Sequence, residues 1–193
     1  VPPGPEAYIR EYYNNKTTFE TADTVTLTAG QTQSGIDIQL ETGGVLSGRV
    51  IDSSASGIAN VNVEVYDTAI NFIKSMATDS SGNYQVPCLQ TGNYKVRFET
   101  NSAGNYFGEW YNDKTGSETA DVISVTYGVT VTNIDAVLAA GSVISGRVTD
   151  SGANGVQGVR VRLYTPPLGN ALTAVTDANG DYTLQPVRNF GNW

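Results

Sequence analysis

The sequence predicts an all-β protein of β-sandwiches in tandem, one complete and two partial, and three observations carry that prediction. Val, Thr, Ser, Asn and Tyr are prominent beside 21 Gly, and only 16% of residues are charged, a composition suited to half-buried strands joined by tight turns. Short runs alternate, as in Val61, Val63 and Val65 against Asn62, Glu64 and Tyr66, which is the period of a strand with one buried face. The chain also repeats itself. Tyr8, Glu11, Tyr13, Asn14 and Lys16 recur 98 residues later as Tyr106, Glu109, Tyr111, Asn112 and Lys114.

The offset holds without insertion. "ETAD" at Glu20–Asp23 returns at Glu118–Asp121, and "SGRV" at Ser47–Val50 returns at Ser145–Val148. Gly57, Val61, Val63, Tyr66, Asp79, Gly82 and Tyr84 return at Gly155, Val159, Val161, Tyr164, Asp177, Gly180 and Tyr182. A period of 98 residues is too long for a solenoid and suits an array of small domains.

Seven strands are expected in one repeat. The first, Val45–Asp52, runs through "SGRV", and the second, Val61–Asp67, is the alternating valine run. Ile73–Thr78 and Tyr84–Cys88 follow, separated by the turn "DSSGN" with Gly82 at positive φ. After the turn "QTGN" comes Tyr94–Glu99, where Tyr94, Val96 and Phe98 alternate with Lys95, Arg97 and Glu99. A long connection, Tyr106–Asp121, leads to Asp121–Thr126, and Asn133–Leu138 closes the repeat with Ile134, Ala136 and Leu138 on one face. Turn signals about every 8–12 residues mark a sandwich.

The stretch "GGVLSGRVIDSSASGIANVNVEVYD", continued by "TDSSGNYQVPCLQTGNYKVRFET", resembles the carboxypeptidase regulatory-like, or transthyretin-like, β-sandwich domain. "SGRV", "TD..GNY" and "L.TGNYKVRF" look like its landmarks, and "E(Y/W)YN(N/D)K…ETAD" looks like a variant from tandem arrays on large secreted proteins. The resemblance implies tandem immunoglobulin-like or transthyretin-like sandwiches serving as a spacer, an adhesin stalk or an appendage. A related pilin-type sandwich carries Lys–Asn isopeptide crosslinks, but Val61–Val65 offers no lysine, so no such crosslink is expected. Since the family domain starts near "GG.LSG", the expected division is 1–44 as the late part of a repeat, 45–142 as a complete repeat, and 143–193 as the early part of another.

Several function classes fall away on composition. The net charge of −8 disfavours a phosphate backbone, so no nucleic-acid partner is expected. No histidine is present, which removes the commonest general base and transition-metal ligand. Cys88 is the single cysteine and reads as a small buried hydrophobe. No apolar run reaches about 18 residues, so no membrane insertion is expected. The turns "DSSGN" and "DANGD" lack the ligand series of an EF-hand. Glu118 with Asp121, or Glu20 with Asp23, could pair as in a glycosidase, but no cleft is indicated. No catalytic residue, metal or cofactor is expected, and the chain is not read as an enzyme.

What remains is surface chemistry. Half of a sandwich exposes its apolar face and its strand edges. The expected subunit-interface residues are Tyr8, Tyr12, Tyr13, Ile36, Ile38 and Leu40 in the leading part, with Val159, Val161, Leu163, Phe190 and Trp193 in the trailing part. Three readings stand together: a piece of a longer surface stalk, a filament subunit joined head-to-tail with copies of itself, or pairing of the two ends within one chain or a swapped dimer. Trp110 and Tyr111 are candidates for stacking on a glycan, the mark of a carbohydrate-binding or adhesive module. Asn15 lies in the glycosylation sequon "NKT". A secreted, cell-surface or appendage location fits low Lys and Cys with abundant Thr, Ser and Asn.

Overall fold

A computed structural model of the chain describes residues 7–100, 104–165 and 169–187. No α-helix occurs among them. Their strands are β1 (Gly44–Ile51), β2 (Asn62–Asp67), β3 (Phe72–Ala77), β4 (Asn83–Leu89), β5 (Gly92–Glu99), β6 (Glu109–Trp110) and β7 (Ile123–Val125). Then come β8 (Thr130–Val131), β9 (Ala136–Val137), β10 (Ser142–Arg147), β11 (Arg160–Thr165), β12 (Gly169–Val175) and β13 (Asp181–Val187).

Residues 44–138 hold the main sandwich. In one sheet β1 lies between antiparallel β4 and the short strands β8 and β9, both parallel to it. The other sheet runs β3-β2-β5-β6, with β7 also on β5. Inward-facing residues from both sheets, including Leu46, Val50, Val61, Val63, Val65, Val86, Val96, Phe98, Val125 and Leu138, form one core. Each such side chain contributes about 1.5–3 kcal/mol on burial.

Local chemistry sets the hairpins. The Asp79 carboxylate accepts the Ser81 and Asn83 N–H groups at 2.8 and 2.9 Å, and Gly82 supplies φ 80°. These backbone bonds hold the Asp79 carboxyl below the usual range. Arg49 Nε ties the same turn to β1 through the Ser81 carbonyl at 2.9 Å. The arrangement returns 98 residues on, with Asp177, Gly180 and Arg147. Thr78 is buried because its hydroxyl serves two chain segments, accepting the Val61 N–H at 3.0 Å and donating to the Ile58 carbonyl at 2.6 Å.

The first five strands expected from alternation are found with shifts of one or two residues at their ends, the sixth and seventh shorten to β7 and β9, and β6 and β8 are additional. Two-residue strands carry too little alternation to register as a period. The trailing segment reproduces the front of the sandwich: β10 pairs β13 as β1 pairs β4, bulge included, and β11 pairs β12 as β2 pairs β3. In the leading segment the two expected late strands do not form among the described residues. Their counterparts β7 and β9 pair with β5 and β1, and no such strands precede Gly44 among the described residues.

The joints between segments are short. Thr42 bridges Tyr8, the Gly43 N–H bonds the Ala7 carbonyl at 2.8 Å, and β1 starts at the next residue. Gly43 is required there, because a Cβ would overlap the backbone of Cys88. Ala140 bridges Tyr106 in the same way, Gly141 bonds Asn105 at 2.9 Å, and β10 follows directly.

Candidate functional site

The polar stretch after Phe107 is a covering strap. Trp110 pairs across from Arg97 on the outer face of β5, and its ring tilts against Tyr66 at 5.3 Å. Lys95 reaches the Ser117 carbonyl at 2.7 Å, and Asn112 Nδ2 donates to Asp121 at 2.6 Å, closing the strap. Trp110 is 9% exposed, and Tyr111 packs against the core. Of the two rings named as a glycan platform, Trp110 is thus largely enclosed and Tyr111 half-buried. Glu109 stands opposite Phe98 with a buried Oε1 that has no hydrogen-bond partner among the described residues. Burial first, then the nearby Asp113 charge, push its carboxyl up to about 7.

The leading segment builds the same strap with no sheet beneath it. Tyr12 and Lys16 exchange backbone bonds as Trp110 and Lys114 do, and Asn14 Nδ2 reaches Asp23 at 2.6 Å. Asn14 and Asn15 take φ 64° and 57°, matching Asn112 and Asp113 at 63° and 58°. Asn15, the sequon residue, is exposed. Tyr8, Tyr12 and Tyr13 are half-buried, and Tyr12 meets Phe19 edge-on at 6.1 Å.

Beyond the strap the two copies diverge in burial. Ile134, Ala136 and Leu138 are 5%, 5% and 0% exposed, whereas Ile36, Ile38 and Leu40, at the same places one period earlier, are 39%, 50% and 44% exposed. Val25 and Leu27 are likewise bare where Ile123 and Val125 are buried. The trailing segment shows the converse face: Ile144 is 38% exposed against 0% for Leu46, and Val159, Val161 and Leu163 are half-buried where Val61, Val63 and Val65 are sealed. Phe190 and Trp193 lie outside the described residues. Sequence reasoning missed Ile9, which is buried against Gly43 at the joint; its apolar counterpart Phe107 was the available signal.

A groove of about 780 Å³ crosses the outer side of β1 and β4, lined by Ser47, Arg49, Asp79, Gln85 and Asp135 among others. Its carboxylates are engaged: Asp79 holds the hairpin turn, and Asp135 Oδ1 accepts the Arg49 N–H at 2.7 Å. Among the described residues no cluster of His, Cys, Asp and Glu could hold a metal, and no helix is long and apolar enough to cross a membrane.

Comparison with known proteins identifies one segment of the chain. Residues 45–138 match the carboxypeptidase regulatory-like domain. The chain is similar to serine-aspartate repeat-containing protein F of Staphylococcus epidermidis, 28% identical over 162 residues, covering 74% of this chain and 9% of that protein. It is also similar to serine-aspartate repeat-containing protein D of Staphylococcus aureus strain Newman, 32% identical over 83 residues, covering 43% of this chain and 6% of that protein. The chain thus spans less than a tenth of the length of these relatives. Among solved structures, a streptococcal ancillary pilin superposes with TM-score 0.42 at 12% identity, covering 78% of this chain and 53% of that one. The Bacillus anthracis TIE protein gives TM-score 0.41 at 14% identity, covering 74% and 26%. With its landmarks "SGRV" and "TDSSGNY" turned into β1 and the β3–β4 hairpin, the segment 45–138 belongs to the carboxypeptidase regulatory-like domain family.

Proposed function

We propose that the chain is a structural module of an extracellular, surface-exposed stalk or filament, in which sandwich halves are completed head to tail between copies. The observation that carries this reading is the burial difference across one period. The residues bared in the leading segment are those that seal the core of the 44–138 sandwich, and the residues bared in the trailing segment are the ones they seal against. Each half therefore displays the surface the other half lacks. Removing six large side chains such as Val25, Leu27, Ile36, Ile38, Leu40 and Ile144 from water is worth on the order of 10 kcal/mol. That is comparable to the cost of association.

Topology favours an open chain over closure. β9 runs parallel to β1, so the polypeptide enters the sandwich at one end of β1 and leaves at the other. Eight residues of strand separate the two ends by about 23 Å. Leading and trailing segments thus project from opposite ends, and their contact is heterologous and propagating. Similarity to the serine-aspartate repeat proteins, which are much longer chains, supports a surface role.

A second reading has its own support. β5 is central to its sheet, holding β2, β6 and β7, and the described part of the trailing segment has no counterpart to it. Adjoining repeats of a longer polypeptide would supply that strand together with the missing half.

Sedimentation and negative-stain electron microscopy of the purified chain across a concentration series test the proposal. Concentration-dependent linear oligomers are expected, dispersed by the double substitution Ile36→Asp, Ile38→Asp. A monomer at every concentration, with the 44–138 sandwich intact, would reject assembly between copies in favour of the second reading.

A further inference from the structure

Resting on the head-to-tail reading, we infer that the joint has one register: residues 31–40 of one copy lie along the open flank of β10 in a second copy, and Ile36 and Asp37 are read by Tyr182, Gly146 and Arg147. The 44–138 sandwich displays the finished version of this contact. There, Gly48 has no side chain because the Ile134 carbonyl lies against it. The Tyr84 hydroxyl donates to that carbonyl at 2.5 Å, and Asp135 Oδ1 takes the Arg49 N–H at 2.7 Å. Backbone bonds run beside them from Val45 N to Val129 O, Ile134 N to Ser47 O and Leu138 N to Ile51 O, at 2.9, 3.1 and 2.8 Å.

The trailing segment has the receiving half of this seat without its occupant. Among the described residues β10 pairs only with β13. The Tyr182 ring rests over Gly146, in the place the Ile134 carbonyl takes over Gly48. Among the described residues the Tyr182 hydroxyl has no acceptor and the Arg147 backbone N–H meets no carboxylate, although Arg147 Nε keeps its turn contact with the Asn179 carbonyl and stands 4.0 Å from Asp181 Oδ1.

The leading segment has the inserting half. Thr32 to Leu40 are exposed and form no strand. One period before Ile134 and Asp135 stand Ile36 and Asp37, so the segment offers a carbonyl and a carboxylate at the required spacing. Apolar Ile36, Ile38 and Leu40 alternate with Asp37 and Gln39, placing the apolar set on one face of an added strand. Translating the β1 pairings by one period sets Val143 beside Thr32, Val148 beside Ile38 and Thr149 beside Gln39, all parallel. A slip of one residue would turn Ile36, Ile38 and Leu40 to solvent and break both polar contacts, which makes the register selective. Movement of Tyr182 off Gly146 opens the seat.

Cysteine pairing tests the register on the whole chain in a Cys88→Ser background. Gln39→Cys protein mixed with Thr149→Cys protein is expected to form a disulfide-linked heterodimer at least tenfold faster than the same protein mixed with Ser145→Cys. Asp37→Ala and Tyr182→Phe, read by analytical ultracentrifugation, are each expected to raise the concentration needed for association about tenfold. Association with equal crosslinking at Ser145→Cys, or with no effect of either substitution, would overturn the register and leave head-to-tail assembly standing. Absence of any association in the unsubstituted chain would overturn both.

Discussion

Leu138 and Leu40 occupy the same place one period apart, so truncating each to alanine isolates the effect of context. Leu138 is fully buried beneath both sheets, with its N–H bonded to Ile51 O at 2.8 Å. Leu138→Ala removes its buried methyl groups and leaves a cavity in a sealed core, which costs about 3–4 kcal/mol. Leu40 is 44% exposed and belongs to no core in the isolated chain, so Leu40→Ala is expected to cost less than about 1 kcal/mol. Urea unfolding resolves the pair. With a slope near 1–1.5 kcal/mol per molar for a domain of this size, Leu138→Ala lowers the midpoint by about 2–4 M and Leu40→Ala barely moves it. Trp110 under its strap reports on the sandwich, and a Trp193→Phe background removes the other of the two tryptophans. The comparison is repeated at high concentration, where head-to-tail assembly as proposed would bring Leu40 into a completed core and make its truncation weaken association. Equal midpoint shifts for the two variants in the dilute chain would refute the argument from burial.

Gly48→Ala should destabilise the 44–138 sandwich by at least about 3 kcal/mol, because its methyl group would overlap the Ile134 carbonyl; a thermal melt within a few degrees of wild type would contradict that. Tyr84→Phe leaves the Ile134 carbonyl without its hydroxyl donor and should cost about 1–2 kcal/mol, whereas Tyr182→Phe in the dilute chain should be neutral. Glu109 supplies a pH test, since its carboxyl is raised from 4.5 to about 7 by burial and then by Asp113. The native state holds that proton more tightly than the unfolded chain, so its contribution is full below about pH 4.5 and is lost as pH rises through about 7. Solvent screening at this half-buried site reduces the loss to about 1–2 kcal/mol. Glu109→Gln should recover that amount at about pH 8 and flatten stability between about pH 5 and 8; an unchanged slope would assign the dependence elsewhere.

The core was legible because it alternates. Val61, Val63 and Val65, and again Tyr94, Val96 and Phe98, stated which face is inward, and the same residues meet in the core. The landmark "SGR" was legible as a repeat but not as mechanics, for the need for Gly48 arises from Ile134, 86 residues away. The burial of Trp110 was not legible, since a sequence does not show the strap closed by Lys95 and Asn112 around it. The leading segment was the converse case. Local signals fixed its turns, φ angles and Asn14–Asp23 bond, while the expected strands needed partners that local signals could not provide.

Parallel pairing of β1 with β8 and β9 also fixes how the sandwich answers to pulling. Tension enters at Gly44 and leaves past Leu138, at opposite ends of two strands that run in the same direction. The force therefore acts along the ladder, and the bonds at Val45, Ile134 and Leu138 are strained together in shear instead of being peeled one after another. With Gly43 and Gly141 bonded into the joints, stretching the 44–138 sandwich itself begins only when that ladder gives way. A repeat of 98 residues would then release about 330 Å of extended chain, so a tether of such units would hold its length under modest pull and lengthen in discrete steps under strong pull.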